Sequence, residues 1–177
     1  MKNYKLPVLG FATILAITIG CNQPSNKTAN ETPVDDINTE AVLEFKKMES
    51  FGDRYAKAWS SQQPEHVAAF FSVNGSLQVN DEPRAEGREA IAKVAEGFMK
   101  AFPDMVVTKD VMTVTECGIE FHWTLTGTNT GPKGTGKKIR ISGYEIWQMG
   151  TDGLIEQSDG AYDANEYNRQ LQYGVAD

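Results

Sequence analysis

The sequence predicts an α+β domain in which helices come first and a run of antiparallel strands follows. Two observations carry this. Apolar residues recur at helical spacing through most of the chain up to Phe102, and from Asp104 onward the period changes to two. A third observation sets the first twenty residues apart: Lys2 and Lys5 precede the short apolar run LPVLGFATILAITIG, which ends at Cys21.

The elements follow in order. Asn38 or Thr39 is placed to cap a helix through EAVLEFKKMESFGDRYAKAWSS, with Val42, Phe45, Met48, Tyr55 and Trp59 as its apolar stripe and Gly52 as a point of bending. Pro64 starts a short helix, PEHVAAFF. SLQVN reads as a short strand. GREAIAKVAEGFMKAF is a third helix, apolar at Ile91, Val94, Ala95, Phe98 and Phe102 and stopped by Pro103. DMVVTKDVMTVTE, GIEFHWTLTGTNTG, KKIRISGYEIWQMG and GLIEQSDGAYD alternate as four consecutive strands, with TDG at 151–153 turning between the last two. DANEYNRQLQYG closes the chain as a helix, with Asp163 as N-cap and Glu166 completing a capping box.

GPKGTGKK, residues 131–138, is one residue short of a nucleotide-binding P-loop: Lys138 stands where a Ser or Thr would hold magnesium. A P-loop must also run into a helix, and IRISGYEIW alternates as a strand. The stretch is therefore expected to be a hairpin loop.

The front of the chain reads as a signal peptide over 1–20, a tether over 21–37 and a domain over 38–177. TIGC resembles a bacterial lipoprotein cleavage box with Cys21 as lipid acceptor, departing from the usual pattern at Thr18, where Leu is common. The alternative is an ordinary signal peptide with an incidental cysteine. The tether is polar and carries two prolines in NQPSNKTANETPVDDI. In a Gram-negative host, Asn22 is not the Asp that resemblance associates with inner-membrane retention, which implies the outer membrane, on its periplasmic or surface face. Loss of Lys2 and Lys5 takes the formal charge from −7 to −9, an acidic balance that argues against nucleic acid. Cys117 is then the one cysteine besides the anchor and is expected to be a small buried hydrophobe.

GREAI, KAFPDM, WTLTGTNTG, GYEIWQMGTDGLIE and DANEYNRQL resemble the SnoaL-like polyketide cyclase group, within the nuclear-transport-factor-2-like superfamily, from about Phe51 to Tyr173. The resemblance implies a cone: a bent sheet wrapped around helices, with an interior pocket. It also implies homodimers through the sheet.

Strand parity proposes the site. Ile139, Ile141, Gly143, Glu145, Trp147 and Met149 share the apolar face of their strand, so Glu145 is a carboxylate among apolar neighbours. It is either a general acid or base or a glutamate paired at the rim. Trp123 faces the interior by the same rule, while His122 points outward with Glu120, Thr124 and Thr126. His66 is expected on the surface. On the last strand either Ser158 or Asp159 faces inward, because a one-residue slip flips the faces. If Asp159 does, it and Glu145 form a carboxylate pair. Resemblance places Tyr55 where related enzymes bind substrate oxygen, and Asn80 where some relatives carry His or Asp. The catalytic candidates are thus Glu145, Asp159 and Tyr55; the ligand-binding candidates are Trp123, Trp147, Met149, Trp59 and Asn80. No metal or cofactor is expected. Two functions are open: a module binding a small apolar molecule, and a cofactor-free cyclase or isomerase using Glu145. The opposite sheet face, with Arg140, Ser142, Tyr144 and Ile146 beside His122 and its neighbours, suits a homodimer.

Overall fold

The computed structural model describes residues 34–176. The expected signal peptide, the Cys21 lipidation site and the tether up to residue 33 lie outside the described residues.

Three helices and the start of the sheet come first: α1 (Val34–Trp59), α2 (Pro64–Ala68), β1 (Phe71–Val79), β2 (Ala85–Glu86) and α3 (Gly87–Ala101). They are followed by β3 (Val106–Thr115), β4 (Gly118–Thr128), β5 (Lys138–Met149), β6 (Ile155–Tyr162) and α4 (Ala164–Tyr173). The strands form one curved sheet in the order β2-β1-β6-β5-β4-β3. All pairings are antiparallel except β1 with β6. The α+β expectation and its four-strand meander hold.

The core lies between α1 and the concave face of the sheet. Tyr55, Phe71, Phe121 and Trp147 are fully buried, and each such ring contributes roughly 1.5–3 kcal/mol by leaving water. Trp147 stacks on Phe121 at 4.7 Å, and Tyr55 meets both rings edge-on at 5.0 and 5.5 Å.

Several expectations are corrected. α1 begins at Val34, so Asn38 and Thr39 lie within the helix and do not cap it; nothing from 34 to 51 is a Gly or Pro that would delay its start. Its stripe is buried only toward the C-terminal end, since Val42 and Phe45 are 46% and 48% exposed. Gly52 sits inside a continuous helix. Its role is contact: a Cβ there would come within 2.2 Å of Met112 Sδ. β1 starts at Phe71, earlier than expected. Gly75 marks a break in its pairing with β6, where a Cβ would meet the Ile155 carbonyl at 2.7 Å. Cys117 is exposed in the turn between β3 and β4. Asp163 does cap α4, accepting from the backbone N–H of Asn165 and Glu166 at 2.9 and 3.0 Å. Glu166 does not return the bond. Its carboxylate is taken by Arg169 and Gln170, which hold its pKa down at about 2.

GPKGTGKK links β4 to β5 as expected. Asn129 organises the loop, accepting from the Thr135 N–H at 2.8 Å, and Gly136 takes φ 71°.

Candidate functional site

Alternation along β4 and β5 sets the site. Ile119, Phe121, Trp123 and Leu125 face the helices, as do Ile139, Ile141, Glu145 and Trp147. Glu145 pairs across the sheet with Phe121 on one side and Gly160 on the other. Gly160 leaves it room: a Cβ there would lie 3.2 Å from the Glu145 Cγ.

Glu145 is 6% exposed. Its Oε2 accepts three hydrogen bonds, from Ser158 Oγ at 2.7 Å, Trp147 Nε1 at 2.9 Å and Tyr55 Oη at 3.0 Å. Its Oε1 accepts none among the described residues, yet it is not sealed in the protein: Glu145 lines a cavity. Burial raises the Glu145 pKa, and the three donors work against that rise. Tyr55 is pushed well above the usual phenol value, by burial first and by the Glu145 charge second, so it remains a donor.

The cavity measures about 40 Å³, above the roughly 10–15 Å³ needed to admit a single water. Its floor is buried Trp59, Leu77, Val107, Phe121, Leu125 and Glu145; half-buried Val79, Phe98, Trp123 and Tyr162 stand toward its mouth. Space for Trp123 comes from Gly143, where a Cβ would collide with the indole at 2.5 Å.

The sequence candidates therefore separate. Trp59 and Trp123 line the cavity together with Glu145. Tyr55 and Trp147 lie behind it, holding the carboxylate in place. Met149 packs on the core without reaching the cavity. Asn80 is at the turn after β1 with φ 50°, its Oδ1 accepting from the Tyr162 N–H at 2.9 Å. Asp159 points to the other face. Burial would raise its pKa, but hydrogen bonds from Gln157 and Arg84 prevail and hold it below the usual value. Ser158 is the inward residue, so the carboxylate pair does not form. His122 faces outward, 3.2 Å from Glu120, and His66 is exposed. Phe98 is expected only as part of the apolar face of its helix, and no expectation from the sequence falls on Val107, Tyr162, Leu77 and Val79. The signal existed for the last two, which alternate inward along β1. Among the described residues no three His, Cys, Asp or Glu side chains converge to hold a metal ion.

The profile of the SnoaL-like domain family matches residues 53–158, more than half of the chain. This chain belongs to the SnoaL-like domain family. The matched span of this SnoaL-like domain includes Tyr55, Glu145 and Ser158. No curated protein matches the sequence. A putative SnoaL-like polyketide cyclase from Jannaschia is similar at 16% identity and a TM-score of 0.59, over 84% of this chain and 100% of its own. The epoxide hydrolase/cyclase-like enzyme SalBIII, which acts in pyran ring formation in salinomycin, is similar at 11% identity and a TM-score of 0.59, over 68% of this chain and 94% of its own. A Catenulispora acidiphila protein with a ketosteroid isomerase-like fold, solved in complex with trimethylamine, is similar at 14% identity and a TM-score of 0.59, over 67% and 89%. These likenesses establish the fold.

Proposed function

We propose that this SnoaL-like domain binds a small, largely apolar molecule in its cavity, with Glu145 Oε1 as the polar contact. The observation that carries the reading is the division of labour at Glu145. One oxygen is saturated by three donors, and the other is left unpartnered on an otherwise apolar wall. The Catenulispora relative, solved with trimethylamine, supports a ligand of a few heavy atoms. Steroids and aromatic polyketides need the mouth residues to move aside. Titration of the purified protein with small apolar molecules, followed by NMR of the tryptophan indole N–H signals, tests this. Shifts at Trp59 and Trp123 support the reading; a panel that leaves both unmoved sinks it.

The raised Glu145 pKa favours a second reading, a cofactor-free isomerase or cyclase in which Oε1 takes a proton beside a carbonyl. It is the weaker one. Tyr55 is committed to Oε2, and Asp159 lies outside, so neither meets a developing enolate in the cavity.

We further propose attachment to the cell envelope, in the outer membrane, through lipid on Cys21, as the TIGC box suggests. A Cys21→Ser protein that still pellets with membranes after a salt wash defeats this. A homodimer through the convex face completes the reading. Tyr144 is 40% exposed there, beside His122 at 5.9 Å. Sedimentation analysis of Tyr144→Glu is expected to show monomer; a wild-type protein already monomeric at micromolar concentration refutes it.

A further inference from the structure

We infer that the molecule taken by this cavity is a small protonated amine, which donates an N–H to Glu145 Oε1 and lays its alkyl groups against the aromatic walls. The inference rests on the cavity-binding reading and specifies its chemistry.

The polar groups on the wall decide the class. Glu145 is the one acidic side chain among the lining residues, and no Lys, Arg or His accompanies it. Its free oxygen is an acceptor when ionised. The two indole N–H groups of Trp59 and Trp123 make no hydrogen bond and are closed off from water. The Trp59 ring packs edge-on against Tyr55 at 6.3 Å, and its N–H makes no bond to the phenol. An incoming anion would therefore meet a carboxylate on the floor and no open donor there. The mouth is no better for it, since Val79, Phe98, Trp123 and Tyr162 carry no cation.

A neutral alcohol could donate to Oε1 but would leave the buried charge uncompensated. An ammonium group does both. Its opposite charge offsets the hydration that the carboxylate loses on burial. Five aromatic side chains, Trp59, Phe98, Phe121, Trp123 and Tyr162, line the space around it, and aromatic rings attract alkylammonium ions. The cavity of about 40 Å³ takes the N–H end of such an ion, and its alkyl groups lie toward half-buried Trp123 and Tyr162. The formal charge of −7 favours approach of cations.

The test uses trimethylammonium chloride, tert-butanol and sodium isobutyrate, similar in size and differing in charge. Each is titrated into the purified full chain at one ionic strength. The protein has three tryptophans, and the Trp59 and Trp123 indole signals report whether the cavity is entered. Trimethylammonium is expected to bind at least ten-fold tighter than the other two. In Glu145→Gln, checked for folding by its own indole spectrum, that preference should fall to within about two-fold. If tert-butanol or isobutyrate binds as well as the amine, the amine inference falls and cavity binding stands. If the preference survives in Glu145→Gln, the assignment to Glu145 falls. If no probe moves either signal, both readings fall.

Discussion

Replacing Glu145 separates its cost to the fold from its use in the cavity. Glu145→Leu removes the acceptor from Ser158, Trp147 and Tyr55, all within 3.0 Å of Oε2. Ser158, Trp147 and Tyr55 are fully buried, so water does not replace the lost partner. A buried donor left unmet costs roughly 1–3 kcal/mol, giving roughly 3–9 kcal/mol for the three. Relief from burying a carboxylate offsets part of that. Glu145→Gln keeps an acceptor for all three donors and removes the charge, so its effect should stay within about 1 kcal/mol at low pH. The pH dependence follows from the raised pKa. The folded protein holds the Glu145 proton more firmly than the unfolded chain. The stability this proton contributes is complete below the unfolded value near 4.5 and is lost as pH rises through the folded value. Wild type should therefore lose stability relative to Glu145→Gln over that window, by ~1.4 kcal/mol for each pH unit separating the two values. Urea unfolding of wild type and both variants from pH 4 to 8 measures this. A wild-type-minus-Gln difference that is flat across the range refutes the desolvation argument. A Leu variant as stable as the Gln variant refutes the hydrogen-bond argument.

Three further outcomes are expected. Gly143→Ala places a Cβ 2.5 Å from the Trp123 ring and 2.6 Å from the Ala161 carbonyl, so it should cost about 1–3 kcal/mol and shift the Trp123 indole signal; an unchanged melting temperature and spectrum would contradict this. Asp163→Ala removes the acceptor for two backbone N–H groups at the start of α4 and should cost about 1 kcal/mol in denaturant unfolding. Asp159→Asn alters an ion pair with Arg84 whose carboxylate side chain is 44% exposed. It should change stability by less than about 1 kcal/mol and leave binding in the cavity untouched, so loss of ligand affinity in this variant would return Asp159 to the site.

Much of this was legible because strand parity is a local rule. Once IRISGYEIWQM was read as a strand, the inward set from Ile139 to Met149 followed, and with it a carboxylate among apolar side chains. Trp123 and His122 separated to opposite faces by the same count. Parity does not report depth. Trp147 and Trp123 share the inward face, yet Trp147 is sealed behind Glu145 while Trp123 stands toward the mouth, because distance along the strand decides which part of the cone a residue meets. The exposure of Cys117 also depended on where β3 ends, and β-branched residues continue right up to the turn.

The last strand shows the limit most clearly. Whether Ser158 or Asp159 faces inward turns on a single residue of register, and the pairing of β5 with β6 shifts between Gln148 and Met149. That irregularity lies next to the turn that a regular count would start from. Beyond it Trp147 pairs with Ser158, which sends the hydroxyl to Glu145 and Asp159 to the outer face. The parallel pairing of β1 with β6, a long-range contact with no local signature, fixes the same choice from the other side by setting Leu77 beside Ser158. Chemistry agrees with both. A carboxylate already buried at Glu145 tolerates a hydroxyl donor as its neighbour, whereas a second carboxylate in its place would have left two charges and only the Trp147 and Tyr55 donors to reconcile in one buried space.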